Sequence, residues 1–261
     1  MIISASRRTD IPAFYSEWLM NRLESGYCTV PNPFNPNQIS YVSLIPQDVD
    51  VIVFWTRNPR PMFKHLKSLD TKNYPYYFLH TLMNNPRSID PFAPGMDHSL
   101  KTFKELVDRV GPHKVIWRYD PILFSNVTDV EFHKRSYTAI AKELRGYTFR
   151  SVISIADIYR KVGRRLHALM EYGIEMTPCQ EEGFGDLMRT VADAASENGM
   201  EIFSCAEEID LSPYGIYSGK CIDDEYIKRV FDLNLQRKKD PSQRRACGCV
   251  VSEAGFPTRA P

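Results

Sequence analysis

The chain has 261 residues, 43% of them hydrophobic and 25% charged, with a formal net charge of +1, the composition of a globular protein with ample apolar material for one large core. That balance gives no long-range reason to expect DNA, RNA or an anionic membrane as a partner, and no apolar run approaches a membrane span. Only a few apolar residues precede Arg7-Arg8, unlike a secretory leader, so a cytoplasmic protein with reduced thiols is expected, and its six cysteines point to packing, metal binding or chemistry.

In chain order, Met1–Ala5 reads as a strand and Tyr15–Ser25 as a helix; Val51–Trp55 and Met62–Leu69 repeat that pair. Tyr76–Thr81 with Leu100–Val110, and Lys114–Trp117 with Val130–Leu144, follow in the same alternation. Asp129 suits the N-cap of the latter helix, with Phe132, Ile140 and Leu144 as apolar anchors. Ser151–Ile155 with Gly185–Asn198, and Glu201–Ser204 with Asp224–Leu233, complete six units. Ala156–Pro178 is less regular, and a further strand is expected near Ile174–Met176.

Repeated strand–helix units imply an α/β fold built on a parallel sheet. Open doubly wound sheets and closed barrels share this alternation. Charged residues gathered at the strand ends favour a parallel (β/α) barrel or partial barrel, whose site lies on that rim. They are Arg7-Arg8-Thr9-Asp10, Thr56-Arg57-Asn58-Pro59, Arg118-Tyr119-Asp120-Pro121, Asp157-Ile158-Tyr159-Arg160 and Glu207-Glu208-Ile209-Asp210. Strand-to-helix loops are polar in any case, and capping accounts well for Asp10. Arginine beside Trp and Tyr, however, suits stacking and anion recognition. Arg7, Arg8, Asp10, Arg57, Asn58, Arg118, Asp120, Glu207 and Glu208 are therefore the expected lining of a small-molecule substrate site. Residues 1–240 read as a single barrel-like domain and residues 241–261 as a cysteine-bearing tail.

Four of the six cysteines lie in the last quarter of the chain: Cys205, Cys221 and the pair in Cys247-Gly248-Cys249. A Cys-x-Cys pair directs both sulfurs to one ion, and Cys205 with Cys221 completes a set of four. Zinc and iron–sulfur centres both accept four thiolates, and spacing does not separate them. Cys28 and Cys179 read as buried hydrophobes. Six scattered histidines form no metal-ligand pair at i, i+4 and no nucleophile triad, although His80 is placed to face the rim cavity. Arg237-Lys238-Lys239 and Arg244-Arg245 form a basic stretch that suits a solvated helix end or an acidic electron-donor protein.

Several segments together resemble the microbial family known as domain of unknown function eighteen-forty-eight. They are Ser4-Ala5-Ser6-Arg7-Arg8-Thr9-Asp10-Ile11-Pro12, Phe54-Trp55-Thr56-Arg57-Asn58-Pro59, Val115-Ile116-Trp117-Arg118-Tyr119-Asp120-Pro121, Cys205-Ala206-Glu207-Glu208-Ile209-Asp210-Leu211, Gly219-Lys220-Cys221-Ile222-Asp223 and Cys247-Gly248-Cys249. The resemblance implies a radical-SAM-like partial barrel whose cluster loop lies at the C-terminus. There, a further Cys-x3-Cys-x2-Cys ending would hold a [4Fe–4S] cluster and S-adenosylmethionine. This sequence departs from that pattern after Ser252, reading Glu253-Ala254-Gly255-Phe256-Pro257-Thr258-Arg259-Ala260-Pro261 without those cysteines. As written it is expected to be inactive in radical chemistry. Permitted codons for Gly255–Pro261, read from the last base of the Ala254 codon, encode Gly-Ile-Ser-Asp-Thr-Cys-Pro, so the tail is expected to be truncated or frame-shifted after about residue 252. Two functions follow as alternatives: a metal-binding barrel resembling a radical-SAM-like iron–sulfur enzyme, or a zinc-stapled, non-redox barrel that binds a small anionic ligand.

Overall fold

The computed structural model describes residues 1–5, 9–32, 35–156, 169–177, 183–235, 238–241 and 243–252. The strands are β1 (Ile2–Ala5), β2 (Tyr27–Asn32), β3 (Asn35–Ser43), β4 (Val51–Thr56), β5 (Tyr76–Thr81), β6 (Val115–Ile122), β7 (Arg150–Ile155), β8 (Glu201–Ser204) and β9 (Tyr217–Ser218). The helices are α1 (Ile11–Phe14), α2 (Ser16–Ser25), α3 (Leu66–Thr71), α4 (Met96–Val110), α5 (Val130–Glu143), α6 (Phe184–Glu197) and α7 (Asp224–Phe231). None of the helices among the described residues is long and apolar enough to cross a membrane.

Seven strands form one parallel sheet in the order β1-β4-β5-β6-β7-β8-β9. The order follows the chain without reversal, so successive crossovers of one hand lay their helices on one face. β1 and β9 are opposite edges of this ladder, and among the described residues no pairing joins them.

Strand parity divides the interior in two. Ile3, Ile52, Phe54, Phe78, Trp117, Tyr119 and Ile153 face the helices, packing with Phe103 and Leu106 of α4, Tyr137 and Ile140 of α5 and Leu187 and Val191 of α6. Ile2, Val51, Val53, Tyr77, Leu79, Ile116 and Val152 face the other way, where Ile222, Tyr226 and Ile227 of the α7 region and Val250 of the C-terminal segment cover them. Both faces are thus buried, which is why the strands read as nearly continuous apolar runs. Caps fix the helix starts: Asp129 accepts from Phe132 N at 2.7 Å, and Asp223 from Glu225 N at 3.0 Å and Tyr226 N at 3.2 Å.

All six expected strands are present, with four differences around them. β2 and β3 form an antiparallel hairpin that proline-interrupted residues concealed, because Pro31 and Pro36 read as strand breakers. The edge strand β9 is only two residues long. The expected helix Met62–Leu69 is split between a 3-10 segment, Arg60–His65, and α3. Ile174–Met176 is not a strand, since Met176 makes only an isolated bridge to Ser125.

His80 does not face the rim cavity on the side of the sheet to which Tyr77 and Leu79 point. It lies on the helix side, stacked on Phe103 with ring centroids 5.0 Å apart. Neither ring nitrogen has a hydrogen-bond partner of good geometry among the described residues. Burial pushes its pKa from the usual 6.5 down to about 4, offset in part by the Arg57 backbone. The folded state therefore keeps His80 neutral while the unfolded chain takes up a proton below pH 6.5. Stability is complete above that pH and falls on acidification towards pH 4, by up to about 3 kcal/mol from this group. Urea unfolding at stepwise lower pH is expected to show a steeper loss in the wild type than in His80→Leu. Parallel profiles would refute this assignment.

Candidate metal centre

The four C-terminal cysteines reach one place through close backbone approaches. Cys205 follows β8, held by its N–H to Ile153 O at 2.8 Å. The chain returns past β9 as Gly219 N donates to Ser204 O at 2.8 Å. Glycine is required here by contact, because a Cβ on Gly219 would lie 2.6 Å from Phe203 Cβ. Cys221 is thereby set against Cys205, with the sulfurs 3.2 Å apart. The final segment is stitched over both: Val250 N donates to Ile222 O at 3.1 Å, Asp240 N to Cys249 O at 2.9 Å and Cys247 N to Arg244 O at 2.9 Å. Cys249 Sγ accepts from the amides of Cys221 at 3.3 Å and Ile222 at 3.5 Å. Amide donors converging on a sulfur stabilise it as a thiolate.

Cys221, Cys247 and Cys249 are buried and Cys205 is half-buried. Cys205 and Cys221 are hydrogen-bonded sulfur to sulfur, and Cys249 interacts electrostatically with both Cys221 and Cys247. Accepting from the thiols of Cys221 and Cys247 and from nearby amides holds Cys249 well below the usual thiol range, and accepting from Cys221 lowers Cys205. Cys221, donating to Cys205 and Cys249, and Cys247, donating to Cys249, are pushed up, and burial adds to both. Among the described residues no group of three or more His, Cys, Asp or Glu side chains is already disposed to hold a metal ion. The sulfurs lie near one another without forming a finished cage.

A cavity of about 290 Å³ opens on them, lined also by Trp55, Arg118, Gln243 and Arg244. Arg118 and Asp120 share the thiol face of β6 by period-two spacing. Arg118 Nη1 donates to Cys221 Sγ at 3.4 Å, its Nη2 pairs with Asp120, and its guanidinium lies 4.8 Å from the centre of the Trp55 ring. Burial opposes the guanidinium's charge, but Cys221, Asp120 and Cys205 outweigh it and hold the pKa above the usual arginine value. Asp120 also accepts from Ser154 Oγ, and Trp55 Nε1 donates to Ser4 Oγ at 3.2 Å.

The expected rim residues therefore separate. Arg118 and Asp120 lie beside the cysteines. Asp10 serves the protein itself, capping α1 through Ala13 N at 2.9 Å and accepting from Arg57 N at 2.7 Å, while burial raises its pKa. The Arg57 side chain pairs with Asp90, and Asn58 Oδ1 accepts from Arg60 N at 3.3 Å. Glu207 Oε1 accepts from Ile155 N at 2.8 Å, and Glu208 is exposed. Arg7, Arg8, the cluster Asp157–Arg160, Cys179, Arg237 and the tail from Glu253 lie outside the described residues. Cys28 packs in the helix-side core, and burial pushes its thiol up to about 11. Trp55, Ser154, Ser4 and Gln243 were not among the expected site residues. Parity with Arg118 was the available signal for Ser154 on the adjacent strand β7 and for Trp55 on β4, two strands away across β5.

Fold and site define an α/β protein with a thiol- and arginine-lined pocket at the carboxyl ends of a parallel sheet. The chain belongs to the family described as Domain of unknown function (DUF1848), which it matches over residues 2–254. No curated protein matches it.

Proposed function

We propose that this is a metal-binding α/β protein in which Cys205, Cys221, Cys247 and Cys249 together ligate one centre. The observation that carries the reading is the convergence of four thiols from three separated segments on one pocket, with two amide donors and an arginine directed at the sulfurs. Four thiolates about 2.3 Å from a single ion lie about 3.8 Å from one another. The 3.2 Å separation of Cys205 and Cys221 is shorter than that spacing, so this pair would open by about 0.6 Å to admit an ion. A cubane cluster carries its thiolates on outer corners and spreads them further. The donor set thus fits a mononuclear tetrathiolate ion, zinc above all, once the sulfurs turn from one another towards it. Such a closed site supplies folding energy rather than a reactive coordination position.

A second reading, an iron–sulfur enzyme of radical-SAM type acting on a small molecule with S-adenosylmethionine and an electron-donor protein, is favoured by the strand order. Seven parallel strands in unbroken chain order, with Arg118 and Asp120 at their carboxyl ends, suit a partial barrel. Metal and inorganic-sulfide analysis of anaerobically purified protein distinguishes the two. About one zinc per chain without sulfide is expected; stoichiometric iron with sulfide would favour the second reading, and neither would overturn both.

A further inference from the structure

A buried arginine needs a reason. Arg118 is 6% exposed, and an ion pair taken out of water recovers its desolvation cost only with good geometry on every donor. A guanidinium kept for Asp120 alone would present its two-pronged fork to that carboxylate. Here only Nη2 pairs with Asp120, while Nη1 is directed at Cys221 Sγ at 3.4 Å and Nε has no partner among the described residues. A neutral thiol is a poor acceptor, whereas a thiolate is a full negative charge. Four thiolates on a divalent ion leave a net negative charge, and Arg118 is the cation buried beside them.

The surrounding side chains fix this orientation. Ser154 on β7 donates to one oxygen of Asp120, the other oxygen holds Nη2, and Trp55 on β4 stacks under the guanidinium, tethered by Ser4 on β1. Four strands of one rigid sheet thus aim a single N–H at a single sulfur. Outer groups that orient and charge-balance ligands in this way set metal affinity.

We infer that Arg118, aligned by Asp120, is the positioning residue of the metal centre, directing an N–H donor and a buried positive charge at the sulfur of the Cys221 ligand. The inference rests on the metal reading above. It is tested on the full chain by removing metal, titrating with Co²⁺ against a chelator, and following the sulfur-to-cobalt charge-transfer band. Arg118→Met is expected to weaken Co²⁺ binding 10- to 100-fold and to shift that band, with a smaller loss for Arg118→Lys, which keeps the charge. Asp120→Asn is expected to weaken binding several-fold, and adding it to Arg118→Met should cost nothing further, because the carboxylate acts through the arginine. A purely structural ion pair would change thermal stability and leave affinity and band untouched. Wild-type affinity in Arg118→Met overturns the inference, or in Asp120→Asn should Arg118→Met fail to fold. A wild type that binds no Co²⁺ overturns the metal reading as well, whereas tight wild-type binding with unaffected variants overturns this inference alone.

Discussion

Cys249→Ser is expected to abolish stoichiometric metal binding and to release the C-terminal segment from the sheet. Cys249 is the junction of the thiol row: it accepts from Cys221 and Cys247 and from the amides of Cys221 and Ile222. A serine oxygen is shorter and harder, and does not replace a thiolate in a four-sulfur set. Structural zinc sites contribute on the order of 10–16 kcal/mol of apparent binding free energy in small domains, and that energy is folding energy. Under the metal proposal, part of it would hold Val250 against Ile222 and Cys249 against Asp240, which the backbone joins by hydrogen bonds. The variant should therefore contain little metal, melt at a lower temperature than the metal-loaded wild type, and be cleaved earlier by protease between Leu233 and Ser252. Cys28→Ala is the matched control, because Cys28 lies in the helix-side core away from the other thiols. It should retain full metal content.

Trp117→Ala is expected to be the most damaging single change to the sheet core, costing about 3–5 kcal/mol. Trp117 is fully buried, stacks on Tyr137 at 4.6 Å, meets Tyr119 edge-on at 5.9 Å and donates its Nε1 proton to Leu82 O at 2.9 Å. Truncation leaves both a large void and an unpaired buried carbonyl, and aromatic partners on β6 and α5 collapse only partly into the space. Against a typical total of about 5–15 kcal/mol this is a large share of the protein's stability. Guanidinium unfolding would measure it as a lower midpoint at unchanged slope. Trp117 and Arg118 are neighbours in sequence but point to opposite faces of β6. Metal affinity should therefore survive in whatever fraction of Trp117→Ala remains folded.

That opposition marks where the sequence was legible and where it was not. The strands were readable because both sheet faces are buried, making Val51–Thr56 and Tyr76–Thr81 continuous apolar runs bounded by polar turns. The same continuity hid which residue faces which layer, so His80 seemed to belong to the cavity when it packs on Phe103. The hairpin β2–β3 escaped because its prolines obscure the alternating pattern, and β9 because two residues carry no period. The cysteine quartet was visible from spacing alone. The rim was visible only as a list, since charge at a strand end does not tell whether a side chain serves a ligand or the protein. Asp10 and Glu207 spend their oxygens on backbone amides, whereas Arg118 sends a donor towards sulfur. Ser154 depends on the register of the adjacent strand β7 and Trp55 on that of two successive pairings through β5, which a single sequence does not display.

X-ray absorption at the metal edge of the purified protein, with metal content measured on the same sample, tests the metal centre most directly. One metal per chain surrounded by four sulfur ligands at about 2.3 Å is the predicted result, lost in Cys247→Ser and Cys249→Ser. Substoichiometric metal, a shell of nitrogen or oxygen, or an unchanged spectrum in those variants would contradict it.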